Sequence, residues 1–433
     1  MSASARQMKR LRELPRLLRQ AGLILLLSYC LFSIYNVLYL REVLDFIGLL
    51  LLGMAGVYAL QRLALMSARG LKVSRSECYA VALIGILGVS IVAQQAFLTT
   101  YVDPEGTDTL GYVRTIAKLA VIWVLIGGAL SMFELPESSF WAIALSLVIL
   151  MLFLPSFTED AAVGYAEIRD ETGLTGLSHL ILEPFVIVPL TLAYALSVRT
   201  RLVVVLVSFG VLFMMSGRTA MVSFMLTVFI MSLQGRAIRN LLVLGVAGIV
   251  IFGGARYVVE AGLVDTDSRA IREMLFIGGI EEDDSFLGRK ELLAQGIKDL
   301  PGQFLYGNFT LTTEHHGYFG AYIHNLLSAW QMFGFFVFAA IIVGLTICAG
   351  RARAAMTSAP TPSIVFGTFL LVYVIINVTV AKSILWSVMW LVLGFWLLRP
   401  GASSGTRRRR RRRRSGRGRS FVALQRLESS QGG

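Results

Sequence analysis

Apolar segments of membrane-spanning length follow one another along most of this chain, and that feature excludes nearly every soluble architecture. A helix needs about 20 mostly apolar residues to cross the hydrocarbon core of a bilayer. By that measure spans fall near 21–40, 43–60, 78–100, 113–133, 139–157, 178–198, 240–256, 321–349, 364–380 and 384–398. The run 202–233 holds two further short spans, 202–215 and 219–233, divided at Ser216-Gly217-Arg218. The expected fold is therefore all-α, a polytopic helical bundle of about 12 transmembrane helices. Composition agrees: 56% of the 433 residues are apolar and 15% charged, against about 45–50% and roughly 25% in soluble domains. The three cysteines (Cys30, Cys78, Cys348) are scattered through apolar runs and read as packing residues rather than a disulfide or metal framework.

Cytoplasmic loops of membrane proteins are enriched in Lys and Arg, and here one alternate set of loops is basic. It comprises 1–20, 61–77 (Arg62, Arg69, Lys72, Arg75), Arg199 with Arg201, Arg236 with Arg239, Arg351 with Arg353, and the C-terminal tail. The other set is acidic or poor in cations: 101–112 carries Asp103, Glu105 and Asp108, and 158–177 carries five carboxylates. Only 134–138, nominally cytoplasmic, breaks the alternation, with Glu134 and Glu137. Both termini are thus expected in the cytoplasm. The expected plan is a basic N-terminus 1–20, spans 1–9 over 21–256, a large extracytoplasmic loop 257–320, spans 10–12 over 321–399, and a disordered tail 400–433. No small-residue cleavage site follows the first span, which is read as a retained helix. Much of the net charge of +13 is located in the tail, as Arg407–Arg414. That block suits anionic inner-leaflet lipids, at about 1 kcal/mol per nearby cation. Nucleic-acid binding is the rival use of such a run; the topology accounts for it without that, and no nucleic-acid partner is expected.

The unusual side chains gather at extracytoplasmic ends. Three of the four histidines, His315, His316 and His324, fall within ten residues. His324-Asn325 sits where the large loop re-enters the membrane, with Gly334 following. A titratable group there serves as a general base or a donor, or only as a solvated or capping histidine. Adjacent His315 and His316 do not complete a zinc site, which wants three or four convergent ligands, so no metal is expected. Arg218 lies between two short apolar runs, where arginine either faces a cavity or anion or snorkels at a turn. Arg114 and Lys118 are spaced i, i+4 and share a helix face; snorkelling and anion binding both fit. Arg289 and Lys290 open an amphipathic helix, Glu291 to Leu300, stopped by Pro301-Gly302. Arginine suits phosphate because its planar fork donates two parallel hydrogen bonds. Glu183-Pro184 puts a carboxylate at a helix distortion near the same surface, to orient a cation, take a proton or pair with an arginine. No phosphate-binding glycine loop of nucleotide type is present, so ATP-driven chemistry is not expected. A cationic site with one histidine, open to the outer face, suits a lipid-linked diphosphate.

The set resembles the O-antigen polymerase and O-antigen ligase superfamily of bacterial envelope glycosyltransferases. The likeness rests on Ser216-Gly217-Arg218-Thr219-Ala220 opening a short span, on Gly288-Arg289 early in the large loop, and on His324-Asn325 with Gly334 leading the next helix. Arg114 with Lys118 and nearby Trp123 adds to it, and the pattern covers roughly 110–345. The resemblance implies a multi-pass inner-membrane enzyme of the GT-C type, with its active site facing the periplasm. It implies an undecaprenyl-diphosphate-linked glycan as donor, no metal or other cofactor, and a chain-length regulator as a protein partner. On that basis His324, Arg289 and Arg218 are the expected catalytic residues. Arg114, Lys118, Asn325 and Glu183 would bind diphosphate or an acidic sugar. Polymerisation of lipid-linked repeats is expected ahead of ligation to a lipopolysaccharide core, on the Tyr322-Ile323-His324-Asn325-Leu326-Leu327 run and the modest loop. A flippase for lipid-linked glycans is the alternative of another class; it would want charges spread through a central cavity, including its cytoplasmic half.

Overall fold

A computed structural model of the chain describes residues 74–98, 109–131, 139–153, 177–197, 199–214, 218–234, 284–311, 323–358 and 360–399, with a few isolated positions. Apart from Arg399, these belong to one unit, Met1–Leu398. Helix makes up 86% of the interpretable chain and no strand occurs in it, so the all-α expectation holds there. The helices are α1 (Arg75–Phe97), α2 (Thr109–Ser131), α3 (Ser139–Phe153), α4 (Leu177–Leu196), α5 (Arg201–Met214), α6 (Arg218–Gln234), α7 (Asp284–Asp299), α8 (Leu327–Phe333), α9 (Phe335–Ser358), α10 (Pro362–Val380) and α11 (Ser387–Leu397).

Helix starts follow local chemistry. Ser74 and Glu77 form a reciprocal capping box at the head of α1: Glu77 N–H donates to Ser74 Oγ at 3.2 Å and Ser74 N–H to Glu77 Oε2 at 2.7 Å. Two otherwise orphaned amide donors are satisfied this way. Thr361 caps α10, and Pro362 follows in the first turn, where its missing N–H costs nothing.

Three helices among the described residues, α1, α9 and α10, are long and apolar enough to cross a membrane. Helices also occupy the runs expected as spans at 113–133, 139–157, 178–198, 202–215, 219–233 and 384–398, of which α3, α5, α6 and α11 have only 11–17 residues. The spans expected near 21–40, 43–60 and 240–256 lie almost wholly outside the described residues, as do His315, His316 and the Arg407–Arg414 block. The segment 321–349 is built differently from the single span expected of it. Turn residues 323–326 lead into the short α8, and α9 starts only at Phe335, after a break at Gly334. The amphipathic helix is longer than expected, starting at Asp284, and passes into a 3₁₀ turn at Leu300–Gln303.

Burial on α1 is that of a lipid-exposed helix. Val81, Val89 and Val92 are 69%, 70% and 63% exposed, while Ser90 and Gln94 are 6% and 4% exposed. Ser90 and Gln94 face the protein and these valines face outward, the arrangement a bilayer selects because lipid supplies no hydrogen-bond partners. At the opposite extreme, every residue of α11 is buried. An element apolar all round belongs in a core, and α11 touches α1, α2, α4, α9 and α10. Its contact with α2 is at backbone range. A Cβ on Gly127 would overlap the Leu391 carbonyl, and one on Gly394 would overlap the Val124 carbonyl. Small residues allow such close crossings, which dispersion contacts then stabilise. Trp396 ties α11 to α10 through an indole N–H donated to the Gly367 carbonyl at 2.9 Å.

Candidate functional site

Two segments far apart in sequence are folded onto each other beside α1. Asn308 N–H donates to the Gln331 carbonyl, and Phe335 N–H to the Phe304 carbonyl, at 2.9 and 2.8 Å. Gly307 and Gly334 adopt φ of +73° and +89°, a region that side chains other than glycine disfavour. They meet there, since a Cβ on Gly307 would overlap the backbone of residues 332–334 and one on Gly334 the backbone of 305–306. The pair is held from α1: Gln94 Nε2 donates to the carbonyls of Met332 and Tyr306 at 2.7 and 2.8 Å. Ser90 Oγ is placed to donate to the carbonyls of Phe333 and Tyr306 at 2.7 and 3.0 Å. These carbonyls include the last ones of α8, which have no acceptor role within the helix.

His324 lies in the turn that this clamp supports. Ile323 N–H donates to Gln331 Oε1 at 3.0 Å. Asn325 Oδ1 accepts from Leu327 N–H at 2.9 Å, and the Asn325 carbonyl accepts from Ser328 Oγ at 2.7 Å. The Asn325 side chain is thus engaged in shaping the turn, an Asx-type use. Two bonds dock the turn on the far end of α10 and the connection to α11. Leu326 N–H donates to the Val378 carbonyl at 2.6 Å, and Ile384 N–H to Ser328 Oγ at 2.9 Å. Lys382 stands in that connection, its backbone N–H bonded to the Asn377 carbonyl at 2.8 Å. Its ammonium is 6.0 Å from the centre of the Trp386 ring.

From the other side comes α7. Arg289, Leu293 and Gly296 are spaced by four and three residues, which puts them on one helix face. Gly296 is buried where a Cβ would overlap the Ile323 side chain, so that face lies against the His324 turn. The electrostatics agree. Burial lowers the His324 imidazole to about 4, and the charges of Arg289 and Lys382 push in the same direction. Near neutral pH the ring is uncharged, so it can accept a proton or a hydrogen bond, with two cations in electrostatic reach. Desolvation and like charge both disfavour the imidazolium.

Of the residues singled out in the sequence, the structure brings together Arg289 and His324, with Asn325 adjoining. Arg289 is exposed and His324 partly buried. Lys118 is exposed on α2. Positions 114, 183 and 218 fall on α2, α4 and at the first residue of α6, and their side chains lie outside the described residues. Lys382 is the residue that sequence reasoning passed over. The signal was present: it is the one cation in the break between the apolar runs 364–380 and 384–398. Among the described residues, no three His, Cys, Asp or Glu side chains gather where a metal could be held. No family model matches the chain, and neither a curated protein nor a solved structure is detectably similar to it.

Proposed function

We propose that this protein is a membrane glycosyltransferase of the O-antigen polymerase and ligase type, acting at the periplasmic face on a polyprenyl-diphosphate-linked glycan. In this reading it is a twelve-span inner-membrane protein with both termini in the cytoplasm. The observation that carries the proposal is the meeting of Arg289 with an uncharged, partly buried His324 next to apolar helices of membrane-spanning type.

The donor arrives with its leaving group attached. An acceptor hydroxyl attacks the anomeric carbon, the bond from that carbon to the diphosphate oxygen breaks, and the hydroxyl proton leaves to a base. His324 is that base or the group that aligns the hydroxyl. Arg289 and Arg218 stabilise the charge that grows on the departing diphosphate, the kind of preorganised contribution that is commonly the largest in catalysis. Arg114 and Lys118 hold the diphosphate or an acidic sugar, and Glu183 orients a cation. A bound diphosphate also offsets the cations around His324, which moves the imidazole back toward the range in which it accepts a proton.

His324→Ala and Arg289→Ala are each expected to abolish surface polymer at unchanged protein level, with losses of about 10²–10³ in rate for a removed electrostatic contact. Full-length polymer from both variants would refute the assignment. Deletion of the gene separates the two transfer reactions. Single-repeat surface glycan identifies a polymerase, whereas missing surface glycan with lipid-linked polymer accumulating identifies a ligase.

A further inference from the structure

The geometry points to Lys382 as a second cation of the Arg289–His324 site, one that binds the diphosphate of a polyprenyl-linked ligand together with Arg289. This rests on the reading above for the ligand class, and its own support is independent of any family likeness.

Three elements converge. The His324 turn is bonded to the end of α10 through Leu326 and Val378 and to the α10–α11 connection through Ser328 and Ile384. Lys382 lies between those two anchor points, four residues after Val378 and two before Ile384. The third element, α7, presents the Arg289 face to the same turn through Gly296 and Ile323. The charges of Arg289 and Lys382 both act on the imidazole. Bringing cations together around a desolvated histidine is unfavourable in isolation; a phosphate-bearing anion reverses the sign. The Trp386 indole N–H, in the ring beside the Lys382 ammonium, adds to this: it is a buried donor with no hydrogen-bond partner among the described residues, although unsatisfied buried groups are costly. Lys382 itself is only partly buried, so an anion can reach it.

The test uses the full chain in phosphatidylcholine nanodiscs. Binding of undecaprenyl diphosphate is measured with and without competing inorganic pyrophosphate or phosphatidylglycerol. Lys382→Gln is expected to weaken binding about tenfold or more, the worth of one charge-assisted hydrogen bond, and Lys382→Arg to stay within about threefold. Pyrophosphate should displace the lipid and phosphatidylglycerol should not. A second readout responds to charge and not to packing: the pH midpoint of diethyl pyrocarbonate modification at His324. Among the described residues the charged groups acting on that imidazole are Arg289 from α7 and Lys382 from the α10–α11 connection, so Lys382→Gln should move the midpoint upward and Lys382→Arg should leave it. Binding by Lys382→Gln within twofold of wild type, an unmoved midpoint, or equal displacement by phosphatidylglycerol overturns the inference. Unchanged binding in Lys382→Gln together with polymer loss in His324→Ala defeats Lys382 alone. Lost binding in Lys382→Gln with full polymer from His324→Ala and Arg289→Ala sustains the diphosphate site and defeats the glycosyltransferase reading.

Discussion

Replacing Gln94 by leucine sets two physical expectations against each other. On a helix whose polar residues faced lipid, removing a carboxamide would stabilise the protein. Here Gln94 is 4% exposed and its Nε2 donates to the Met332 and Tyr306 carbonyls at 2.7 and 2.8 Å. Tyr306 O can still share the single Ser90 Oγ proton with Phe333 O, so its loss is taken as that of one bond, about 0.5–1.5 kcal/mol. Met332 O, at the end of α8, is left buried with the larger penalty of an unsatisfied group, about 1–3 kcal/mol. The sum is about 1.5–4.5 kcal/mol, with a floor near 1 kcal/mol if both losses match the average measured for interhelical bonds in membranes. At a pH high enough to keep it ionised, Gln94→Glu should cost more than Gln94→Leu, because a carboxylate offers only acceptors to two carbonyl oxygens. Unfolding of the purified protein in mixed micelles of increasing denaturing-detergent content gives the stability, and size-exclusion profiles confirm the starting state. Gln94→Leu at or above wild-type stability, or Gln94→Glu no worse than Gln94→Leu, would refute the reasoning.

Other consequences are sharper in sign than in size. The His324 imidazole titrates at about 4 in the fold and near 6.5 when unfolded, so the unfolded chain takes up the proton first as pH falls. Stability present above about pH 6.5 is therefore lost between there and pH 4, and His324→Asn should flatten that part of a melting-temperature profile. Gly334→Ala should cost about 2 kcal/mol or more, from a positive φ of +89° and overlap with the Leu305 backbone, as strained positions typically do. Gly302→Ala, with open space around it, should stay within about 0.5 kcal/mol in the same assay. Gly127→Val and Gly394→Val should each block the α2–α11 crossing, read as loss of the monodisperse peak after extraction.

How far the sequence alone reaches varies along the chain. Most of each expected apolar run that lies among the described residues is helical, because burial of apolar surface and internal satisfaction of backbone groups both select helix in lipid. Arg289 and His324 were legible as a pair of unusual side chains near one end of the bundle. The break at Gly334 was not, since the mostly apolar stretch from Leu326 to Phe338 hides it. Only the partner backbone at Leu305–Gly307 shows why the helix cannot continue. The roles of Ser90 and Gln94 were equally hidden, because a few polar residues inside an apolar run, Gln95 among them, carry no sign of which side they face. Lys382 escaped notice for a different reason: it lies 58 positions beyond His324, and its relevance depends on a docking that no spacing rule encodes.

The brevity of α11 constrains how the molecule is assembled. Eleven residues at about 1.5 Å each reach roughly half of a 30 Å hydrocarbon layer, so this piece has no comfortable resting place among lipids by itself. Among the described residues every helix it touches precedes it in the chain and leaves the ribosome earlier. A vacant slot must therefore wait in the nascent protein until the final apolar stretch plugs it, and polypeptides cut short before Ser387 would be hollow and prone to destruction by quality-control proteases.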